Sequence, residues 1–272
     1  MKVAMSGASG FVANALKKAF PEWVAIERTD SVEDIVAKLH NVDAVFNLAG
    51  APIAARWDEA YKKVLLSSRV DTTKKLVSAI NQSEVKHFIS TSAVGIYPNN
   101  VPCDEESEKM GDDFLAGLAL AWESEARKCQ KPTTILRFGV VLGKDGGALE
   151  KMIPAIQAYM GGTIGTGMMI TSWIDIDDLV RIYQFVLENH AEGTFNATSP
   201  NPVSNFALTK MLGKILKRPT WLPLPAFVIK MLFSEGATVL LDSKEVYPKA
   251  LVKKGFSFQY PDLESSLRKI LA

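Results

Sequence analysis

Short apolar runs alternate with stretches of helical spacing along most of the chain. Val3 to Met5 is apolar and ends at Ser6-Gly7, after which Val12, Ala13, Leu16 and Phe20 recur at helical spacing; the pattern predicts strand, glycine turn, helix. Trp23 to Ile26 reads as a second strand, and Ser31-Val32-Glu33-Asp34 as a capping box opening a helix with Ile35, Val36 and Leu39 on one face. Asp43 to Leu48 is the next buried strand. From Trp57, apolar or small residues at Tyr61, Val64, Leu65, Ser68, Thr72, Leu76 and Ile80 predict one long helix with a single face. His87 to Ser90 returns as a strand, Leu115, Leu118, Trp122, Ala126 and Cys129 mark another helix, and Thr134 to Phe138 follows as a strand. A helix after every strand predicts a parallel sheet with crossover helices.

Beyond Gly143 the texture changes, with Gly146-Gly147, Gly161-Gly162, Gly165 and Gly167 crowding one region. This reads as an excursion into a smaller lobe. Trp173 to Asp175, a helix from Asp177 to Glu188 and the strand Thr194 to Asn196 are expected to rejoin the main unit, and prolines 202, 219, 223 and 225 punctuate short helices thereafter. The predicted division is a main domain of residues 1–145, with 171–198 returning to it, and a small lobe of 146–170 and 199–272.

Charge narrows the partners. Lys and Arg number 31 against 30 Asp and Glu in 272 residues, so no field of one sign exists to attract nucleic acid or anionic lipid. The apolar run from Pro225 to Phe233 is too short to span a bilayer and contains Lys230. Cys103 and Cys129 form no CxxC pattern, and His40, His87 and His190 have no ligand spacing, so no metal site is expected. The reduced thiols and the start of the chain, which lacks a long apolar signal-like run, predict a cytoplasmic protein.

The chemistry begins at Gly7-Ala8-Ser9-Gly10-Phe11-Val12-Ala13. Glycines at a first strand-to-helix turn let a pyrophosphate approach the amides at the positive end of the helix, which nominates Gly7, Ser9, Gly10, Phe11 and Val12 for dinucleotide binding. Glu27 and Arg28 follow about twenty residues on, at the end of the second strand. A carboxylate there suits the ribose hydroxyls of NAD(H), whereas a guanidinium suits the 2′-phosphate of NADP(H); NADP(H) is favoured and NAD(H) stays open.

The strings GASGFVA, NLAG at Asn47 to Gly50, STSAVGIY at Ser90 to Tyr97, LRFGVVLG at Leu136 to Gly143 and SWIDIDDLV at Ser172 to Val180 resemble the extended short-chain dehydrogenase/reductases. APIAARW, SSR at Ser67 to Arg69, GDDFL, Trp122-Glu123, GGAL, GFSFQYPDL and the N-A-T-x-P string resemble, more narrowly, the NAD-dependent epimerase branch labelled sugar-nucleotide epimerase-like. The resemblance covers nearly the whole chain. It implies an α/β, Rossmann-type, doubly wound parallel sheet with a small C-terminal substrate lobe, binding NADP(H) through the glycine turn and Arg28. It further implies that Leu48, Ala49 and Gly50 line the adenosine and ribose, that Ser92 faces the nicotinamide, and that Arg69, Thr91, Arg137 and Gly139 belong to the cofactor site. Monomer and homodimer are both open. Among the departures, Ala13 replaces the third glycine of the turn, Asp175 stands where histidine is common, and only one helix fits between Arg28 and Asp43.

The largest departure concerns the tyrosine and lysine that move the proton in the superfamily: the matching positions are Leu115 and Ala119, and neither can titrate. Tyr97 is then the first candidate proton donor and Ser92 a partner for a substrate carbonyl. Arg56 and Arg69 could hold a substrate anion bidentately, and Trp57 and Trp173 could stack on a planar ring. The leading expectation is an NADP(H)-binding oxidoreductase or epimerase-like enzyme transferring a hydride to or from a small polar substrate. The alternative is a cofactor-binding sensor or partner-binding module that keeps the pocket without catalysis.

Overall fold

A computed structural model describes all 272 residues. Its centre is a six-stranded parallel sheet of β1 (Val3–Ser6), β2 (Trp23–Ile26), β3 (Ala44–Asn47), β4 (His87–Ala93), β6 (Thr133–Phe138) and β10 (Gly193–Ala197), in the order β2-β1-β3-β4-β6-β10. β1 and β3 are buried at all four positions, because helices cover both faces; hence their unbroken apolar runs. One face packs against α1 (Phe11–Ala19) and α7 (Ile176–Glu188) through Leu16, Phe46, Leu179 and Tyr183. The other packs against α2 (Val32–Lys38), α4 (Thr72–Asn81) and the end of α5 (Phe114–Ala126) through Ile35, Leu76, Ile80 and Ala126. The fold is a Rossmann-like, doubly wound α/β sheet. The chain steps from β1 to β2 on one side and then to β3 on the other, so the crevice at the carboxyl ends of β1 and β3 is the topological switch point where such sheets bind ligands.

The predicted capping box forms: the Ser31 hydroxyl accepts from the Asp34 amide and the Asp34 carboxylate from the Ser31 amide. The long helix predicted from Trp57 is corrected. It divides into α3 (Glu59–Leu66), a π turn at Ser67–Asp71, and α4. Leu65, Ser68, Leu76 and Ile80 are buried as expected, but the wider turn puts Thr73 inside where Thr72 was expected, and Val64, ahead of the turn, is exposed.

The glycine-rich excursion contains α6 (Gly147–Gln157), hidden from pattern reading by its internal Pro154. With α8 (Asn205–Leu216) and α12 (Leu263–Leu271) it encloses a second core around the fully buried Trp173. Short paired strands fasten these parts: β5 (Pro102–Cys103) to β12 (Glu245–Val246), β7 (Val140–Gly143) to β9 (Trp173–Asp175), and β8 (Ile170–Thr171) to β11 (Val203–Ser204). The remaining helices are α9 (Ala226–Phe233), α10 (Thr238–Leu241) and α11 (Lys249–Lys253). Two buried carboxylates tie the C-terminal segment to α7. Asp178 accepts from the amides of Gln259 and Tyr260, and Asp175 from the Ser266 hydroxyl and the Lys269 ammonium.

Truncating Trp173 would leave a cavity among three helices that cannot close up together. Trp173→Ala is expected to cost about 3 to 5 kcal/mol in chemical unfolding; a loss below about 1 kcal/mol would contradict this account of the second core.

Candidate functional site

The glycine turn occupies the switch-point crevice. Gly7 has a φ of +65°, and a Cβ there would lie 2.8 Å from the Leu48 carbonyl oxygen and 2.9 Å from the Ala49 nitrogen; only glycine lets β1 turn against the end of β3. The Gly10 amide closes the turn on the Gly7 carbonyl at 3.0 Å. α1 then starts with no side-chain cap and no acidic residue in its first turn. Its leading amides are thus left for a ligand, and the helix dipole favours an anion. Ser9 and Gly10 are exposed, Phe11 and Val12 half-buried. A dinucleotide pyrophosphate fits this arrangement, since the amide donors that open α1 have no side-chain competitor.

Ser6 and Asn47 hold the crevice in shape. The Ser6 hydroxyl donates to Asn47 Oδ1 at 2.8 Å and accepts from the amides of Leu48 and Ala49. Asn47, fully buried, donates through Nδ2 to the hydroxyls of Thr73 and Ser90. Three strand ends and α4 are thereby joined by one amide side chain. The strand-end position of Asn47 was its only sign in the sequence.

At the end of β2, Glu27 and Arg28 are exposed. Lys75 of α4 reaches over to donate to the carbonyls of Arg28 at 3.0 Å and Asp30 at 2.6 Å. Two cations therefore stand at this edge, and the second was not apparent in the sequence because it comes from a helix about 45 residues away.

The expected catalytic residues lie elsewhere than anticipated. Tyr97 is fully buried: its hydroxyl donates to Asn196 Oδ1 at 2.9 Å and accepts from Arg137 at 2.7 Å, and burial pushes the phenol up. The expectation of a phenol at the mouth of the site is corrected. Ser92, 1% exposed, donates its hydroxyl to Glu123 at 2.8 Å. Neither hydroxyl is open to a ligand in this structure. Arg137 is likewise not free for a cofactor, because it makes a two-point contact with the Glu123 carboxylate at 2.7 and 2.9 Å. Burial raises the Glu123 carboxyl, but the hydrogen bonds and charge of Arg137, with the Ser92 hydroxyl, outweigh it and hold the group below the ordinary 4.5.

The stacking expectation for the two tryptophans is also corrected. Trp57 is buried against Phe114 and donates to the Ile53 carbonyl; Trp173 donates to the Asn201 carbonyl. Arg56 is exposed and donates to the Met231 carbonyl at 2.6 Å. The Thr91 hydroxyl lies 3.4 Å from that of Tyr183, and the Gly139 amide is engaged by the Ala197 carbonyl. The backbone of Leu48 and Ala49 packs against Gly7, and the Arg69 guanidinium packs against Gly50. Asp113 caps α5 by accepting from the Ala116 amide.

Residues 3–198 match the NAD dependent epimerase/dehydratase family. The chain belongs to that family. Residues 224–270 match a domain of unknown function, DUF1731. The epimerase family protein SDR39U1 homolog, chloroplastic, of Arabidopsis thaliana is 42% identical over 236 residues, covering 84% of this chain and 68% of that protein. The Mus musculus epimerase family protein SDR39U1 is 32% identical, with both chains fully covered. Among solved structures, human epimerase family protein SDR39U1 (isoform 2), crystallised with NADPH, superposes with a TM-score of 0.93 at 31% identity over 99% of each chain. The UDP-glucuronic acid 4-epimerase of Bacillus cereus, solved with UDP-glucuronic acid and NAD, gives 0.81 at 17% identity over 99% of this chain and 98% of that one, a likeness of fold alone. No helix of this chain is long and apolar enough to cross a membrane.

Because the Glu123 carboxyl is depressed in the folded state, its contribution to stability is complete above pH about 4.5 and is lost as pH falls through the lower folded value. Glu123→Gln is therefore expected to unfold more easily than the native chain at pH 7, and the difference should shrink under acid. A pH-independent difference in Tm between the two would contradict the ion-pair account.

Proposed function

We propose that this chain binds NADP(H) in the β1/β3 crevice and acts as an oxidoreductase or epimerase-like enzyme on a small polar substrate. The uncapped start of α1 behind Gly7 is the observation that carries the reading: its amides suit the pyrophosphate, and no side chain of the protein competes for them. Arg28 and Lys75 supply the positive charge that a 2′-phosphate needs, and SDR39U1 crystallised with NADPH supports the same cofactor choice. Glu27 is the group that would serve NAD(H) instead. Bound NADP(H) would supply the hydride for the reaction.

The protein's own part is to orient and to exclude water. The Ser6 hydroxyl fixes the amides of Leu48 and Ala49, and Asn47 fixes Ser6 in turn, so the wall of the crevice is rigid before any ligand arrives. Ser92 and Tyr97 act from beneath as parts of the floor. The two cysteines are unpaired, in keeping with a reducing compartment, and the cytoplasm is the location proposed.

A second reading is favoured by one observation. With Leu115 and Ala119 on α5, and with Ser92 and Tyr97 sealed in a buried network, no titratable hydroxyl faces the crevice from these positions. A cofactor-binding sensor or partner module would need none.

Arg28→Ala should raise the Kd for NADPH about ten- to a hundredfold, the loss expected for charge-assisted hydrogen bonds, and leave that for NADH unchanged, as read by cofactor fluorescence. Equal weakening of both would overturn the NADP(H) assignment. Loss of NADPH absorbance with any member of a panel of carbonyl compounds and sugar nucleotides supports the enzyme; tight NADPH binding without turnover across the panel supports the module.

A further inference from the structure

The second lobe turns an unusual corner toward solvent. Tyr159 and Met160 follow α6, Phe206 opens α8, and Trp221 and Leu222 lie in the proline-bounded stretch after α8; all five are exposed, Trp221 at 69% and Met160 at 63%. Backbone contacts bring them together: the Leu222 amide donates to the Gly161 carbonyl, the Leu224 amide to Thr163 and the Phe206 amide to Gly167. Cations are set among them. Arg218 Cζ lies 5.0 Å from the Tyr159 ring centre and Lys210 Nζ 5.6 Å from that of Phe206. Lys210, Lys214, Lys217 and Arg218 line an open concavity of about 400 Å³ at the end of α8, bounded by Thr220 immediately before Trp221. The two stretches that build this corner carry no Asp or Glu between Glu150 and Asp175 or between Glu192 and Glu235. The only carboxylate within ion-pair reach of the four cations is Glu264, 3.4 Å from Lys214 and already held by Arg268 at 2.6 Å. A helix C-terminus accounts for a lysine or two. It does not account for an indole and four more apolar side chains left in water beside them.

We propose that this corner docks the protein on the surface of an anionic bilayer. Trp221, Leu222, Tyr159 and Met160 enter the headgroup region, where amphipathic aromatic rings are favoured, and the four cations take lipid phosphates. Charge complementarity selects this occupant. A second copy meeting the patch by two-fold symmetry would bring the same cations face to face, whereas an anionic surface satisfies them and accepts the apolar side chains in one step. The near-zero net charge excludes anionic lipid as a partner of the chain as a whole, but not of a lobe whose carboxylates lie elsewhere.

The test is flotation of the chain with phosphatidylglycerol vesicles and, separately, with phosphatidylcholine vesicles, read together with tryptophan emission; it needs neither cofactor nor turnover. The native chain should float with the first lipid and not the second, release at high salt, and shift its emission to the blue on binding. Lys217→Gln with Arg218→Gln should weaken partitioning about thirtyfold, since each cation near an anionic surface contributes roughly fivefold. Trp221→Ser should weaken it about tenfold at an unchanged Tm, because the side chain is exposed in the fold. Trp221→Phe should still float but lose the blue shift. Lys253→Gln with Lys254→Gln, exposed cations beside Glu105 and Glu106, should change nothing. Failure to float with phosphatidylglycerol, or equal flotation with both lipids, overturns the proposal. So does a loss from the Lys253 and Lys254 pair as large as that from Lys217 and Arg218, or a blue shift that survives Trp221→Phe. Without flotation, a Tm raised by inorganic phosphate through Lys217 and Arg218 assigns the concavity to a small anion, binding of polyglutamate assigns the patch to an acidic protein, and dimerisation abolished by Trp221→Ser assigns it to a second copy; each of these overturns it.

Discussion

Glu123 and Arg137 meet out of reach of water beneath the carboxyl end of the sheet, 4% and 5% exposed, and much of the site is arranged around them. Desolvating two charges is expensive and is offset only when nearly every lone pair and proton finds a partner. Here the carboxylate accepts from Arg137 at two points, from Ser92 and from Arg127, while the guanidinium also donates to Tyr97. Tyr97 passes the network to the Asn196 side chain, and the backbone N–H of Asn196 donates to the Glu105 carboxylate. One pair of opposite charges therefore fixes β4, β6, β10 and α5 relative to one another, together with the loop that carries Glu105. The same network takes up the hydroxyls of Ser92 and Tyr97.

Above that floor, several polar groups at the carboxyl edge of the sheet have no protein partner of opposite charge. The amides that open α1 meet no cap, and the Arg69 guanidinium meets no carboxylate. Arg28 stands exposed at the end of β2 with Lys75 beside it. A near-neutral chain thus concentrates unpaired positive charge locally along the carboxyl edge of the sheet, with no large field of one sign over the chain as a whole. Asn47 makes this edge coherent: by bonding Ser6, Thr73 and Ser90 at once, it keeps three strand ends level and lets the Leu48–Gly50 wall stand without support from a ligand.

Local periodicity and turn chemistry were enough to read a parallel sheet with crossover helices, the capping box at Ser31 and the glycine turn at Gly7, because each depends on residues close together in sequence; the doubly wound order came with the family resemblance. The face from Trp57 to Ile80 was read as one continuous helix, and Thr72 was placed inside in place of Thr73, because the π turn adds a residue without changing composition. α6 was missed because Pro154 and the flanking glycines speak against a helix that tertiary packing around Trp173 nevertheless supports. Ser92 lies at the end of β4 and Tyr97 just beyond it, but whether a hydroxyl faces a ligand or a buried network depends on Glu123 and Arg137, far along the chain.

The sequence by itself therefore determined that the backbone turns tightly at Gly7 and which segments alternate as strands and helices, since sterics and hydrophobic spacing act over a few residues. Only the tertiary structure decided which polar groups satisfy one another and which are left over. Pairing is a matter of distance in space: it closes Arg137 on Glu123, brings Lys75 to Arg28, and leaves Arg69 beside Gly50 without a counter-ion.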